Sequence, residues 1–101
     1  MIQKIKLSDY FGKMIITRNA VADFFSFLSQ LSEKEIILDF KEIEFISRSC
    51  ADEYIKRKLM SNKQIKEINI SHNIYSMFLL VVKQNSLNAK IIINLLESHS
   101  K

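Results

Sequence analysis

The stretch Glu35–Met60, EIILDFKEIEFISRSCADEYIKRKLM, decides the fold. Ile36, Ile37, Leu38 and Phe40 form a nearly continuous apolar run, the pattern of a strand covered on both faces of a sheet. The predicted strand is Ile36–Phe40, with Asp39 near its carboxyl end, where open α/β sheets carry their functional edge. A polar-apolar connection through Glu42 and Glu44 then reaches Ser47-Arg48-Ser49 and an amphipathic helix. Ser49 is expected to be the N-cap, with Asp52 three residues on in a capping-box-like start and Glu53 complementing the dipole. Ala51, Tyr54, Ile55 and Leu59 form the expected buried stripe, while Asp52–Lys56 and Glu53–Arg57 are i,i+4 ion pairs outside it.

Arg48 does not follow from these helix rules. A cation at a helix start costs about 0.3–1 kcal/mol. Two readings stand: a salt bridge to Asp52 offsets the cost, or the guanidinium waits for a partner's carboxylate or phosphate.

The run Asp39–Glu53, DFKEIEFISRSCADE, resembles the core motif of STAS-type domains, the family of anti-sigma-factor antagonists. It is most similar to the STAS-like branch with a motif of the form D-F-x-x-V-x-x-I-S-x-S-F-A-D-E. Arg18 and Ala20, at the head of the first long helix, add a weaker match. The resemblance implies an α/β single domain over residues 1–101, with a mixed four- to five-stranded sheet packed against three to four helices. It also implies a regulatory protein-binding module whose partner is a histidine-kinase-like ATPase. In that family a serine at the head of this helix is phosphorylated, and binding follows the phosphate. The added charge, about −1.5 to −2, spoils an interface shaped for a hydroxyl. Here Arg48 stands at the acceptor position, so Ser47 and Ser49 are the candidate phosphoacceptors. The expected partner-binding residues are Glu42, Glu44, Ser47, Arg48, Ser49, Asp52, Glu53 and Arg57.

The rest of the chain is consistent with a single domain. Its 101 residues are 48% hydrophobic and 26% charged, ordinary values for a globular protein. A single cysteine forms no internal disulfide, and the N-terminus MIQKIKLSDYFGK has no apolar run for a leader or membrane span, so a cytoplasmic protein is expected. Cys50 reads as a small buried hydrophobe rather than a nucleophile, since no histidine lies nearby to serve as base. His72 and His99 have no metal-ligand spacing, and glycine-rich phosphate loops and nucleophile elbows are lacking. The expectation is a non-enzymatic protein without metal or cofactor.

Ile2–Leu7 reads as an edge strand, Ser8–Gly12 as a turn and Lys13–Thr17 as a second strand, a pair suited to a hairpin. A helix follows from Asn19, its cap, to Leu31, burying Ala20, Val21, Phe24, Phe27, Leu28 and Leu31 with Phe25 at the rim. Ile68–Ile70 is a short strand, and Ser71–Gln84 is a helix so apolar that Leu79 and Leu80 point away from its buried face. That surplus suggests a homodimer or partner contact. The tail, 87–98, is read as helix. The net charge is +4, and Lys56, Arg57, Lys58, Lys63 and Lys66 form a basic run. Nucleic-acid binding through that run is the alternative function, and homo-oligomerisation without a regulatory ligand is another.

Overall fold

The computed structural model describes residues 1–84. The order is β1 (Ile2–Lys6), α1 (Leu7–Phe11), β2 (Met14–Ile15), α2 (Arg18–Ser29), β3 (Glu35–Asp39), β4 (Phe45–Ile46), α3 (Arg48–Met60), β5 (Gln64–Ile68) and α4 (His72–Gln84). β1, β3 and β5 form a parallel sheet in that spatial order, and β2 and β4 form a separate parallel pair. The chain is therefore an α/β domain, with its strands divided between two parallel sheets rather than joined in one mixed sheet.

β3 is the central strand. In-register pairing aligns Ile5, Leu38 and Glu67 on one sheet face and Lys4, Ile37 and Lys66 on the other. The first face is covered: Ile36, Leu38 and Glu67 are buried beneath helices that pack α2 on α3 and α3 on α4. An aromatic chain runs through this layer, Phe25 against Tyr54, Tyr54 against Phe40 and Phe78. The second face exposes Ile2, Lys4, Glu35, Gln64 and Lys66. The apolar run in β3 therefore does not mean two covered faces here, because Ile37 lies half-buried on the open one.

Several boundaries differ from the sequence-based expectation for local reasons. Ser8–Gly12 is the end of a helix rather than a hairpin turn, with the Gly12 N–H donating to the Ser8 carbonyl at 2.9 Å. Leu7 and Phe11 are four residues apart and both turn toward the core, and Gly12 at φ 74° ends the helix where a side chain would be strained. The expected hairpin is absent, since β1 and β2 belong to different sheets.

α2 begins at Arg18 with Thr17 rather than Asn19 as N-cap, and ends at Ser29. Its buried arc is rotated toward α3: Phe25 is buried against the Tyr54 ring at 5.3 Å, while Phe27 is 41% exposed and stacks on Tyr10. A single-helix face count overlooks this lateral neighbour. β5 spans Gln64–Ile68 instead of Ile68–Ile70, because Asn69 at φ 59° turns the chain out of the strand. The tail 87–98, expected as helix, lies outside the described residues.

In α3 the inward position one turn after Tyr54 is taken by Lys58, and Leu59 is exposed. The Lys58 Nζ donates to both oxygens of Glu67 at 2.9 and 2.8 Å, and the Tyr54 hydroxyl donates to Oε2 at 2.6 Å. Glu67 is fully buried, so a satisfied polar triad ties α3 to β5 inside the apolar layer.

Candidate functional site

The corner between β4 and α3 is built by backbone pairing. The Ser47 N–H donates to the Ile15 carbonyl at 2.9 Å, holding residue 47 extended at the end of the small sheet. The Ser47 hydroxyl accepts from the Cys50 N–H at 3.2 Å, so Ser47, and not Ser49, is the N-cap. Ser49 consequently lies inside the first turn, exposed, with its hydroxyl 3.3 Å from that of Ser47. Cys50 and Ala51 are fully buried, which fixes the helix face and turns Arg48, Ser49 and Asp52 outward. Cys50 is the small hydrophobe expected of it.

Moving the cap to Ser47 changes the work of the acidic pair. Asp52 and Glu53 lie in the second turn and receive Arg18 from the head of α2: Nη1 donates to Glu53 Oε1 at 3.0 Å and Nη2 to Asp52 Oδ2 at 3.2 Å. The expected i,i+4 pairs are present as well, Lys56 to Asp52 at 3.0 Å and Arg57 to Glu53 at 2.7 Å. A five-membered ionic network of this kind is worth more than an isolated surface pair. Arg48 donates to the Gln84 side-chain oxygen at 2.5 Å, at the far end of α4. Among the described residues one of its five N–H donors is used there, and the guanidinium keeps capacity for a carboxylate or phosphate.

Between these groups lies an open groove of ≈ 720 Å³ lined by Arg18, Arg48, Ser49, Asp52, Val81 and Gln84. Of the residues expected at a partner surface, Arg48, Ser49 and Asp52 line it, Ser47 braces it, and Glu53 joins through Arg18. Glu42 and Glu44 do not line it. Glu42, at φ 72°, pairs with Lys6 at 3.6 Å, and Glu44 pairs with Lys13 at 3.8 Å. Arg57 faces a separate shallow depression beside Phe25 and Met60. Sequence reading missed Val81 and Gln84, which reach the corner only through the packing of α4 and carry no local signal. Arg18 was visible only as part of the weaker match.

The basic run is largely consumed within the fold. Lys56, Arg57 and Lys58 hold carboxylates, and Lys63 donates to the Leu31 and Glu33 carbonyls at 2.5 and 2.7 Å. Of the five, Lys66 alone has no ionic or carbonyl partner among the described residues. On α4, Leu79 packs against the core and Leu80 is 43% exposed, so the surplus apolar surface is a single side chain. No group of His, Cys, Asp and Glu suited to a metal occurs among the described residues, and none of their helices is long and apolar enough to cross a membrane.

The ionic network carries a pH signature. At Asp52 burial raises the carboxyl, but hydrogen bonds and charges from Lys56 and Arg18 outweigh it and hold the group below its ordinary range. Glu53 is lowered mainly by its hydrogen bond from Arg57, against burial and with help from Arg18. A carboxyl lowered in the folded state adds stability above its unfolded pKa, about 3.9 for Asp and 4.3 for Glu. That stability is lost as pH falls through the lower folded value. Arg18→Gln is therefore expected to shift acid unfolding, followed by circular dichroism, to higher pH, with the curves converging once both carboxyls are protonated. Parallel curves that never converge would show that Arg18 acts by packing instead.

No family model, curated protein or solved structure matches the chain.

Proposed function

We propose that the chain is a non-catalytic regulatory module of the STAS-like, anti-sigma-factor-antagonist kind, engaging a kinase-like ATPase through the groove at the head of α3. The observation that carries this reading is the juxtaposition on one groove wall of an exposed Ser49 and an exposed Arg48 with one hydrogen-bond partner among the described residues, beside an ionic network. Recognition needs donors that are positioned before the partner arrives; Gln84 holds Arg48, and Asp52 and Glu53 hold Arg18. Of the two candidate phosphoacceptors, Ser49 is the accessible one, because the Ser47 hydroxyl is engaged as the helix cap. A phosphate on Ser49 would sit on the same groove wall as Arg48 and Asp52, which changes the charge a partner meets.

The nucleic-acid reading draws less support, since four of the five cations on which it rests already hold internal partners.

The test is a tagged pull-down with ATP, comparing the wild type with Arg48→Glu and Ser49→Ala. A kinase-like ATPase is expected on the wild type and lost on Arg48→Glu, with an unchanged melting curve. Phosphate is expected on Ser49 by mass spectrometry, and to vanish in Ser49→Ala. Equal retention of the ATPase by Arg48→Glu overturns the reading.

A further inference from the structure

The β2–β4 pair turns its two faces to opposite environments. Ile15 and Ile46 are register partners on the inner face, and both are buried in the core. Met14 and Phe45 are register partners one position earlier, so their side chains stand together on the outer face, 51% and 45% exposed. Pairing runs on past β2, since the Ser47 N–H donates to the Ile15 carbonyl, and Ile16 returns to the outer side, 55% exposed. Single exposed apolar side chains are ordinary on a protein surface. Three large ones side by side make a patch. Strands of two residues need only strand propensity at these positions, which threonine supplies as well. The apolar character of the outer face therefore has no work to do in the core.

This face runs directly into the groove at the head of α3. Ile16 is two residues from Arg18 and Phe45 three from Arg48, roughly 7–10 Å of chain. The charges adjoining the face along the chain are matched in every case but one. Lys13 and Glu44 pair at 3.8 Å, and Arg18 is met by Asp52 and Glu53. Arg48 meets the neutral side chain of Gln84, and no carboxylate neutralises it among the described residues. A second copy docking by the same face would bring a second Arg48, while the carboxylates of Glu44, Asp52 and Glu53 are already committed. The surface is complementary instead to an apolar segment that carries an acidic side chain at its end.

We propose that the outer face of the β2–β4 pair is the apolar anchor of the partner interface, and that its occupant is a segment of the partner protein bearing apolar side chains and one carboxylate. The apolar side chains cover Met14, Ile16 and Phe45. The carboxylate takes the remaining N–H donors of Arg48 in the planar, two-point geometry that a guanidinium favours. The inference rests on the reading that a protein partner occupies the groove, and it adds where the binding energy is concentrated. An apolar centre excludes water, and the ionic network of Arg18, Asp52 and Glu53 forms the polar rim beside it.

Two measurements test it. The first titrates naphthaleneacetate, an apolar ring system with one carboxylate, into isotopically labelled full-length protein. Amide shifts are expected at Met14, Ile16, Phe45 and Arg48, and weaker binding without the Arg48 shift is expected for the uncharged naphthalenemethanol. Shifts gathered elsewhere, or equal binding of the neutral alcohol, overturn the proposal. The second repeats the pull-down with ATP on Met14→Thr/Phe45→Thr, which keeps strand-forming side chains at both exposed positions. Retention of the kinase-like ATPase is expected to fall by about tenfold or more, with unchanged circular dichroism. Met60→Gln, which removes an exposed apolar side chain at the other end of α3, is expected to leave retention unaltered. Equal retention by the double variant, with retention still lost on Arg48→Glu, overturns the anchor and leaves the groove reading standing. No ATPase on the wild type, with the naphthaleneacetate shifts as expected, overturns the identity of the partner and supports the anchor. A concentration-dependent dimer that closes this face would overturn the proposed occupant.

Discussion

Replacing Lys58 by Met is expected to destabilise the domain by about 3–5 kcal/mol in urea unfolding. The reason lies in Glu67, a carboxylate with no solvent exposure, whose charge is met by one ammonium and one phenol. Methionine keeps the length of the lysine stem but removes the cation, so the carboxylate stays buried with only the Tyr54 hydroxyl. Burial, followed by the neighbouring Glu67 charge, pushes the Tyr54 phenol well above its ordinary range, so it remains a donor at neutral pH. A neutral donor of that kind recovers only a fraction of the desolvation penalty. Against a total stability of about 5–15 kcal/mol, a loss of this size removes a large share.

The same argument makes an opposite prediction for complete replacement. Lys58→Met/Glu67→Leu/Tyr54→Phe removes the charge, the cation and the orphaned hydroxyl together. It is expected to lie within about 1–2 kcal/mol of the wild type or above it, since well-packed apolar groups often match a buried ion pair. If Lys58→Met alone cost less than about 1 kcal/mol, water would have to reach Glu67, and the triad would be a surface feature in energetic terms.

This triad also shows why part of the fold could not be read locally. β3 and α3 were legible: an apolar run and a serine-headed amphipathic segment are patterns contained within their own residues. Lys58 and Glu67 contradict the patterns of their own elements, because each is explained only by the other across the α3–β5 contact. Seen alone, Lys58 extends a basic run and Glu67 ends one, which also obscured β5, whose Lys66 and Glu67 point to opposite sheet faces. β4 is two residues long, too short for any period to register. The capping error is of the same kind. Ser47 and Ser49 are equivalent in local sequence, and the hydrogen bond from Ser47 to Ile15 on a distant strand decides between them.

The candidate site divides along the same line. Arg48, Ser49 and Asp52 are neighbours in sequence, so their common location on one wall followed from helix geometry. The opposite wall comes from α4, and its position depends on the core. Phe78 is the anchor, fully buried with its ring 5.0 Å from Tyr54 and 6.0 Å from Phe40. It reaches both the central strand's end and the middle of α3, while Val81 and Gln84, one and nearly two turns later, line the groove.

Phe78→Ala is accordingly expected to cost about 3–5 kcal/mol, the range for deleting a buried aromatic ring and leaving a cavity. Its effect should be spatially uneven. Hydrogen exchange is expected to rise first along α4, whose amides lose their main apolar attachment, while β3 keeps protection through pairing on both sides. Loss of α4 docking would also withdraw Gln84 from Arg48 and take down the groove wall, so groove binding should weaken beyond the change in folded fraction. Phe78→Leu fills most of the space and is expected to cost only about 1–2 kcal/mol, with groove binding preserved. Uniform loss of protection across β3 and α4 would mean that α4 and the sheet unfold as one unit, and the second wall would then be as rigid as the first.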